Sequence, residues 1–115
     1  MILANSVLEL ICVELQPILV FHGFSKSEDE YHPETFGSRF ITFDGLKEKI
    51  RIIWDGKEQF FVIETIPIDS ITYLSGWADI VLRFFRTEDA TDERVSEIVS
   101  EMSMALSDYL NSVDL

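Results

Sequence analysis

FGSRFITFDGLKEKIRIIWDGKEQFFVIETI, residues Phe36 to Ile66, decides the fold of this chain. Three short runs rich in Ile, Phe, Val and Trp are parted by two Asp-Gly pairs, Asp44-Gly45 and Asp55-Gly56. Glycine takes positive φ freely and Asp tolerates it, so Asp-Gly between apolar runs signals a hairpin. The stretch therefore predicts a three-stranded antiparallel meander over about 38–44, 48–55 and 58–66. Its second strand sets Ile50, Ile52 and Trp54 against Lys49, Arg51 and Ile53. Two registers fit the Asp55-Gly56 turn. A two-residue turn pairs Trp54 with Lys57 and puts Phe61 and Ile63 beside Ile50 and Ile52. A three-residue turn with a glycine bulge brings Phe60 and Val62 there instead. Both leave one face strongly apolar and the other mixed, as expected when helices cover one side only.

Working outward, Pro67 ends the third strand, because proline donates no ladder hydrogen bond. Residues 67–77 read as a connection with a short extended piece at 70–74. ADIVLRFFRT, residues 78–87, is a fourth strand alternating Ile80, Leu82 and Phe84 against Val81, Arg83 and Phe85. Helices flank the sheet. From residue 2 to about 22, Leu3, Val7, Leu10, Ile11, Leu15, Ile18 and Leu19 recur at helical spacing. Pro17 predicts a kink or a break near residues 13–16. Gly23 is a left-handed cap, with Phe24 placed to fold back on the last turn. At the other end Thr91 is an N-cap, and Asp92 and Glu93 sit where the helix dipole favours acids. Val95, Ile98, Val99, Met102, Leu106, Tyr109, Leu110 and Val113 then hold the spacing of one long helix. The expected class is α+β: one antiparallel sheet of about four strands with both helices on one face, ordered α-β-β-β-β-α in a single domain over residues 1–115.

Between the first helix and the meander, SKSEDEYHPETFG (residues 25–37) reads as the main irregular segment. Glu28, Asp29, Glu30, Tyr31, His32 and Glu34 give it one aromatic anchor inside a charged rim, the composition of a partner-binding loop. The alternative is a solvated connection.

Charge narrows the partners. The chain carries 21 acids and 9 bases, a net charge of -12. Residues 1–37 hold six acids and one base, and residues 88–115 hold eight and one, while residues 38–87 are neutral. Nucleic acid and anionic membrane bind through Lys and Arg, so this balance argues against both. It fits either a solubilising surface or a docking face for a basic protein. Hydrophobic residues make up 47% of the chain, which excludes a disordered tail. One cysteine, Cys12, excludes an internal disulfide framework and agrees with a reducing compartment. The apolar N-terminal stretch lacks a basic leader region and carries Glu9 and Glu14, which points to the cytoplasm rather than to a signal or membrane segment.

Reactive groups are sparse. The two histidines, His22 and His32, form no HxH or HxxxH spacing, and there is no CxxC, phosphate-binding glycine loop or G-x-S-x-G turn. His32 beside Glu30 and Glu34 is the one place where a weak metal site can be drawn. The residues thus predict neither cofactor nor catalytic site.

A helix ending in Gly23-Phe24, an acidic segment, Phe36-Gly37-Ser38-Arg39, the hairpin Ile53-Trp54-Asp55-Gly56-Lys57-Glu58 and Trp77-Ala78-Asp79 before the last strand form a recognisable layout. In it the chain resembles small bacterial immunity proteins, the cytosolic partners of polymorphic and contact-dependent toxins. The resemblance implies a non-catalytic protein that covers the basic substrate site of a cognate toxin, often a nuclease, by stoichiometric binding. A structural protein that homodimerises through its sheet, its charge serving solubility, is the reading from a different class.

Overall fold

The computed structural model describes residues 3–69 and 76–113. Helix α1 spans Ala4–Phe21, and five strands follow: β1 Ser25–His32, β2 Ser38–Asp44, β3 Glu48–Asp55, β4 Phe60–Pro67 and β5 Ala78–Phe84. A 3-10 turn, Thr87–Asp89, leads into helix α2, Asp92–Val113. The strands form one antiparallel meander in sequence order, β1-β2-β3-β4-β5. Both helices lie on the same side of it. The α+β layout matches expectation, with one strand more than the apolar runs announce. The extended piece expected at 70–74 lies outside the described residues.

The face under the helices is built by alternation. Ile41, Ile52, Ile63 and Val81 stand in one row across β2 to β5, with Trp54 beside Phe61 in the next. These pack with Val7, Leu8, Ile11, Leu15 and Leu19 of α1 and Ile98, Met102, Leu106 and Leu110 of α2. At roughly 1.5–3 kcal/mol for each large apolar side chain buried, this cluster is the main source of stability.

The helix ends follow the sequence closely. Gly23 has φ of +85°, its amide donates to the Val20 carbonyl at 3.0 Å, and the Phe24 amide donates to the Leu19 carbonyl at 2.9 Å. That pair of bonds is a Schellman motif, and Phe24 is buried in the core. Thr91 caps α2: its Oγ1 accepts the Arg94 amide at 3.1 Å. The helix assignment of α1 runs on through Pro17, so the proline does not end it.

Two expectations about turns are corrected. The β3–β4 connection has four residues: Trp54 pairs with Phe61 and Asp55 with Phe60. It keeps the facing of the two-residue alternative, with Ile52 opposite Ile63, but slides the partner strand along. Asp55 organises it, since its Oδ1 accepts the Lys57 and Glu58 amides at 3.0 and 2.9 Å. The left-handed residue is Gln59, φ +59°, and not Gly56. Gly56 is required for another reason. A Cβ there would lie 1.9 Å from the Phe36 carbonyl oxygen, because the turn after β1 is pressed onto it. Its amide also donates to Ser38 Oγ at 2.9 Å.

Candidate functional site

The segment expected to be irregular is mostly a strand. SKSEDEYH forms β1, an edge strand paired with β2 from Ser25↔Asp44 to His32↔Ser38, and its turn continues to Gly37. Nothing in its pattern betrays this, since residues 25–31 are all exposed. Pairing is imposed from outside, because the second edge of β2 presents unpaired backbone groups that cost free energy when left without partners.

Strand geometry divides the expected anchor cluster, because successive side chains point to opposite faces. Glu28 and Glu30 share the face away from the helices with His32, in register with Thr42, Phe40 and Ser38. Asp29 and Tyr31 turn to the helix side, opposite Ile41 and Arg39. Glu34 follows in the turn, its Oε1 3.1 Å from His32 Nδ1. So Tyr31 does not stand at the centre of the acids; it lines a shallow cleft with Asn5, Asp29 and Arg39. Tyr31 is 54% exposed.

Asp29 is already occupied. Arg39 grips it with two hydrogen bonds, Nε to Oδ1 at 2.9 Å and Nη2 to Oδ2 at 2.8 Å, and reaches Glu9 of α1 at 3.1 Å. The guanidinium holds the Asp29 carboxyl below its ordinary range, mainly through these hydrogen bonds. This clamp ties β1 to β2 and α1. The sequence does not mark Arg39 as part of a site. Its only signal is a basic residue on the otherwise apolar face of a strand.

The face away from the helices carries the other feature. Phe40, Ile53, Val62 and Leu82 form a row across β2 to β5, with Glu30 of β1 at its end. Phe60 meets Phe84 edge to face at 5.9 Å, and Phe84 is 62% exposed. His32 stacks on Phe40. A neighbouring row is charged but for the buried Thr42: Glu28, Thr42, Arg51, Glu64 and Asp79. Arg51 there contacts two rings, Phe40 at 4.6 Å and Trp77 at 4.0 Å, and pairs with Glu64 at 3.6 Å. Burial pushes the Glu64 carboxyl up, against the pull of Arg51.

Where backbone groups point follows from three hydrogen bonds. The amides of Gly45, Ile68 and Phe85 donate to the carbonyls of Glu48, Lys47 and Gln59, each at 2.9 Å. Bonded and non-bonded pairs alternate in an antiparallel ladder. Carried through the register, this turns the backbone groups of Asp29 and Tyr31 outward on β1, and those of Leu82 and Phe84 outward on β5. The β5 carbonyls are taken. Arg83 Nη1 donates to Leu82 at 2.8 Å and Arg94 Nη2 to Phe84 at 3.0 Å, the arginines being held by Glu101 and Glu97 of α2. No such side-chain cap reaches Asp29 or Tyr31 among the described residues.

Cys12 is a poor nucleophile, its thiol pushed up to about 12 by burial. Among the described residues no group of three His, Cys, Asp or Glu side chains is arranged to hold a metal ion. No family model, curated protein or solved structure matches this chain.

Proposed function

We propose that this chain is a non-catalytic, acidic protein-binding module, and more specifically a cytoplasmic immunity protein that neutralises a basic toxin by stoichiometric cover. The observation that supports this most is the sheet face away from the helices: a half-buried aromatic and aliphatic band, with Phe84 exposed at one end, bordered by the exposed acids of β1. An apolar, aromatic-rich centre inside a polar rim is the anatomy of protein interfaces, and in a chain of net charge -12 the rim selects a basic partner. Homodimerisation through the sheet edges is disfavoured. Two β1 edges would set Glu28, Asp29 and Glu30 against their own kind, and the β5 carbonyls are already bonded.

The test is capture from the native host with wild-type protein and with two variants, Phe84→Glu and Glu28→Lys/Glu30→Lys. A basic protein held in one-to-one ratio by wild type and lost from both variants supports the reading. Its activity should be silenced by adding equimolar wild type. A chain that captures no basic protein and sediments as a dimer belongs to the structural class instead.

A further inference from the structure

Helix α1 is apolar on two sides, and the sheet uses one of them. Val7, Leu8, Ile11, Leu15 and Leu19 are buried. Leu3, Leu10, Val13, Val20 and Phe21 are between 51% and 84% exposed. At 100° per residue these five fall within one arc on the outer side, which only Ser6 and Pro17 share, with Glu9 and Glu14 at its two borders. The helix is as long and apolar as a membrane span, a property that core helices share. A helix that is apolar all round is normally buried all round, so this outer side lacks a partner.

The outer side is also shaped. Between α1 and α2 runs a groove of about 470 Å³, lined by Leu10 and Val13 on one wall, by Val99 and Met104 on the other, with Glu14 and Ser96 among them. Its α2 wall runs from Val95 to Met104, roughly 13 Å at 1.5 Å rise per residue, which is long enough for an i to i+7 set of anchors on a docked helix, about 10 Å. At Ser96 it meets a second depression lined by Asp92, Glu93 and Glu97.

We propose that this inter-helix groove binds an amphipathic helix of another protein, with an apolar seam facing Leu10, Val13, Val99 and Met104 and Lys or Arg residues facing Glu14, Asp92 and Glu93. Charge selects this occupant. α1 contains no base, and the one base of α2, Arg94, is engaged with Glu97 and the Phe84 carbonyl. An anionic lipid surface finds no free cation there, and a second copy would bring one set of carboxylates against another. The groove lies on the opposite side of the molecule from the open sheet face, so the inference stands whether or not the toxin reading does.

The probe is a synthetic 15-residue peptide with Leu at i, i+3, i+7 and i+10 and Lys elsewhere on its polar face, titrated into the full chain by NMR and calorimetry. Shifts should cluster on α1 and α2, the peptide should become helical, and Val13→Ser and Met104→Ser should each weaken binding several-fold with melting unchanged. Both side chains are more than 60% exposed, so the fold should survive the changes. A peptide of equal composition with its leucines scattered should bind at least tenfold more weakly. Equal binding of the scattered peptide, shifts on the sheet face instead, adsorption of the chain to anionic vesicles, or a dimer abolished by Met104→Ser would each overturn the proposal.

Discussion

The two edges of the sheet are finished in opposite ways. β5 is apolar, and an unfinished apolar edge invites pairing with another chain. It is closed by two arginines on its outward carbonyls, each steadied by a glutamate of α2. β1 is polar along its whole length, has no side-chain cap on its outward backbone groups among the described residues, and is held from behind by the Asp29–Arg39–Glu9 clamp. One edge is sealed and the other stays accessible without being sticky. A strand added at β5 would find the Leu82 and Phe84 carbonyls already bonded, and a self-pairing through β1 would meet like charge.

The largest effect is expected where β1 is anchored. Gly56→Ala places a methyl group within van der Waals collision of the Phe36 carbonyl, and forcing the two apart should cost about 1–3 kcal/mol or more. Denaturant unfolding measures it, and amide exchange should show β1 loosening before β5. A midpoint equal to wild type would mean that the turn after β1 does not rest on Gly56.

Removing the β5 seal comes next. Arg83→Ala/Arg94→Ala frees two outward carbonyls and should lower stability by about 1–2 kcal/mol, since each lost hydrogen bond to a partly exposed group contributes about 1 kcal/mol or less. The more telling result is association. The variant should dimerise with rising concentration in sedimentation, whereas wild type, with its β5 carbonyls bonded and its β1 edge charged, should not. A double variant that stays monomeric at every concentration would show that the arginines are not what closes β5.

The same contrast explains what the sequence could and could not reveal. β2 to β5 and both helices are written in apolar periodicity, because each has one side in the core. Ile50, Ile52 and Trp54 or Ile98, Met102 and Leu106 announce themselves by spacing alone. β1 has no buried side chain to reveal it. It is a strand because β2 offers it a ladder, and that is a property of the neighbour. The candidate site suffered for the same reason. The acids were visible in SKSEDEYH, but their division between two faces depends on the strand, and the clamp on Asp29 depends on Arg39 ten residues away. The apolar band of the open face was partly legible as the mixed side of the meander. The contact of Arg51 with Trp77 was not, since it crosses from β3 to the residue preceding β5. Gly56 reads as a turn glycine, whereas its need comes from a backbone far along the chain.

Asp29→Asn probes the clamp. The change leaves Arg39 with Glu9 alone and should cost about 1 kcal/mol at neutral pH, near the upper end for an ion pair this exposed. Its pH dependence has a definite sign. The folded Asp29 titrates below its ordinary value of 3.8, so its contribution is complete above that pH and fades as acid protonates the folded carboxyl. Wild type and variant should therefore differ at pH 7 and converge in strong acid. A gap that persists undiminished in acid would assign the loss to packing and not to the charge.

The smallest effect is expected at Glu64, and its sign is opposite. This carboxyl lies on the open face, well inside the β1 edge, with its side chain 15% exposed. Burial raises its folded titration above the ordinary 4.5. A group shifted upward binds its proton more readily in the folded state, so stability is gained as pH falls through the folded value and lost as pH rises through it. At neutral pH the charged Glu64 carries a desolvation cost that Arg51 offsets only in part. Glu64→Gln removes that cost and also takes a partner from Arg51, which keeps its ring contacts with Phe40 and Trp77. The net change should lie within about 0.5 kcal/mol at pH 7. The slope is the sharper measurement. Subtracting wild type from variant, Asp29→Asn should give a deficit that shrinks with acid, and Glu64→Gln should shift toward a deficit as acid is added, because only wild type gains from protonation. Slopes of the same sign in the two variants would mean that the clamped edge and the open face do not differ electrostatically.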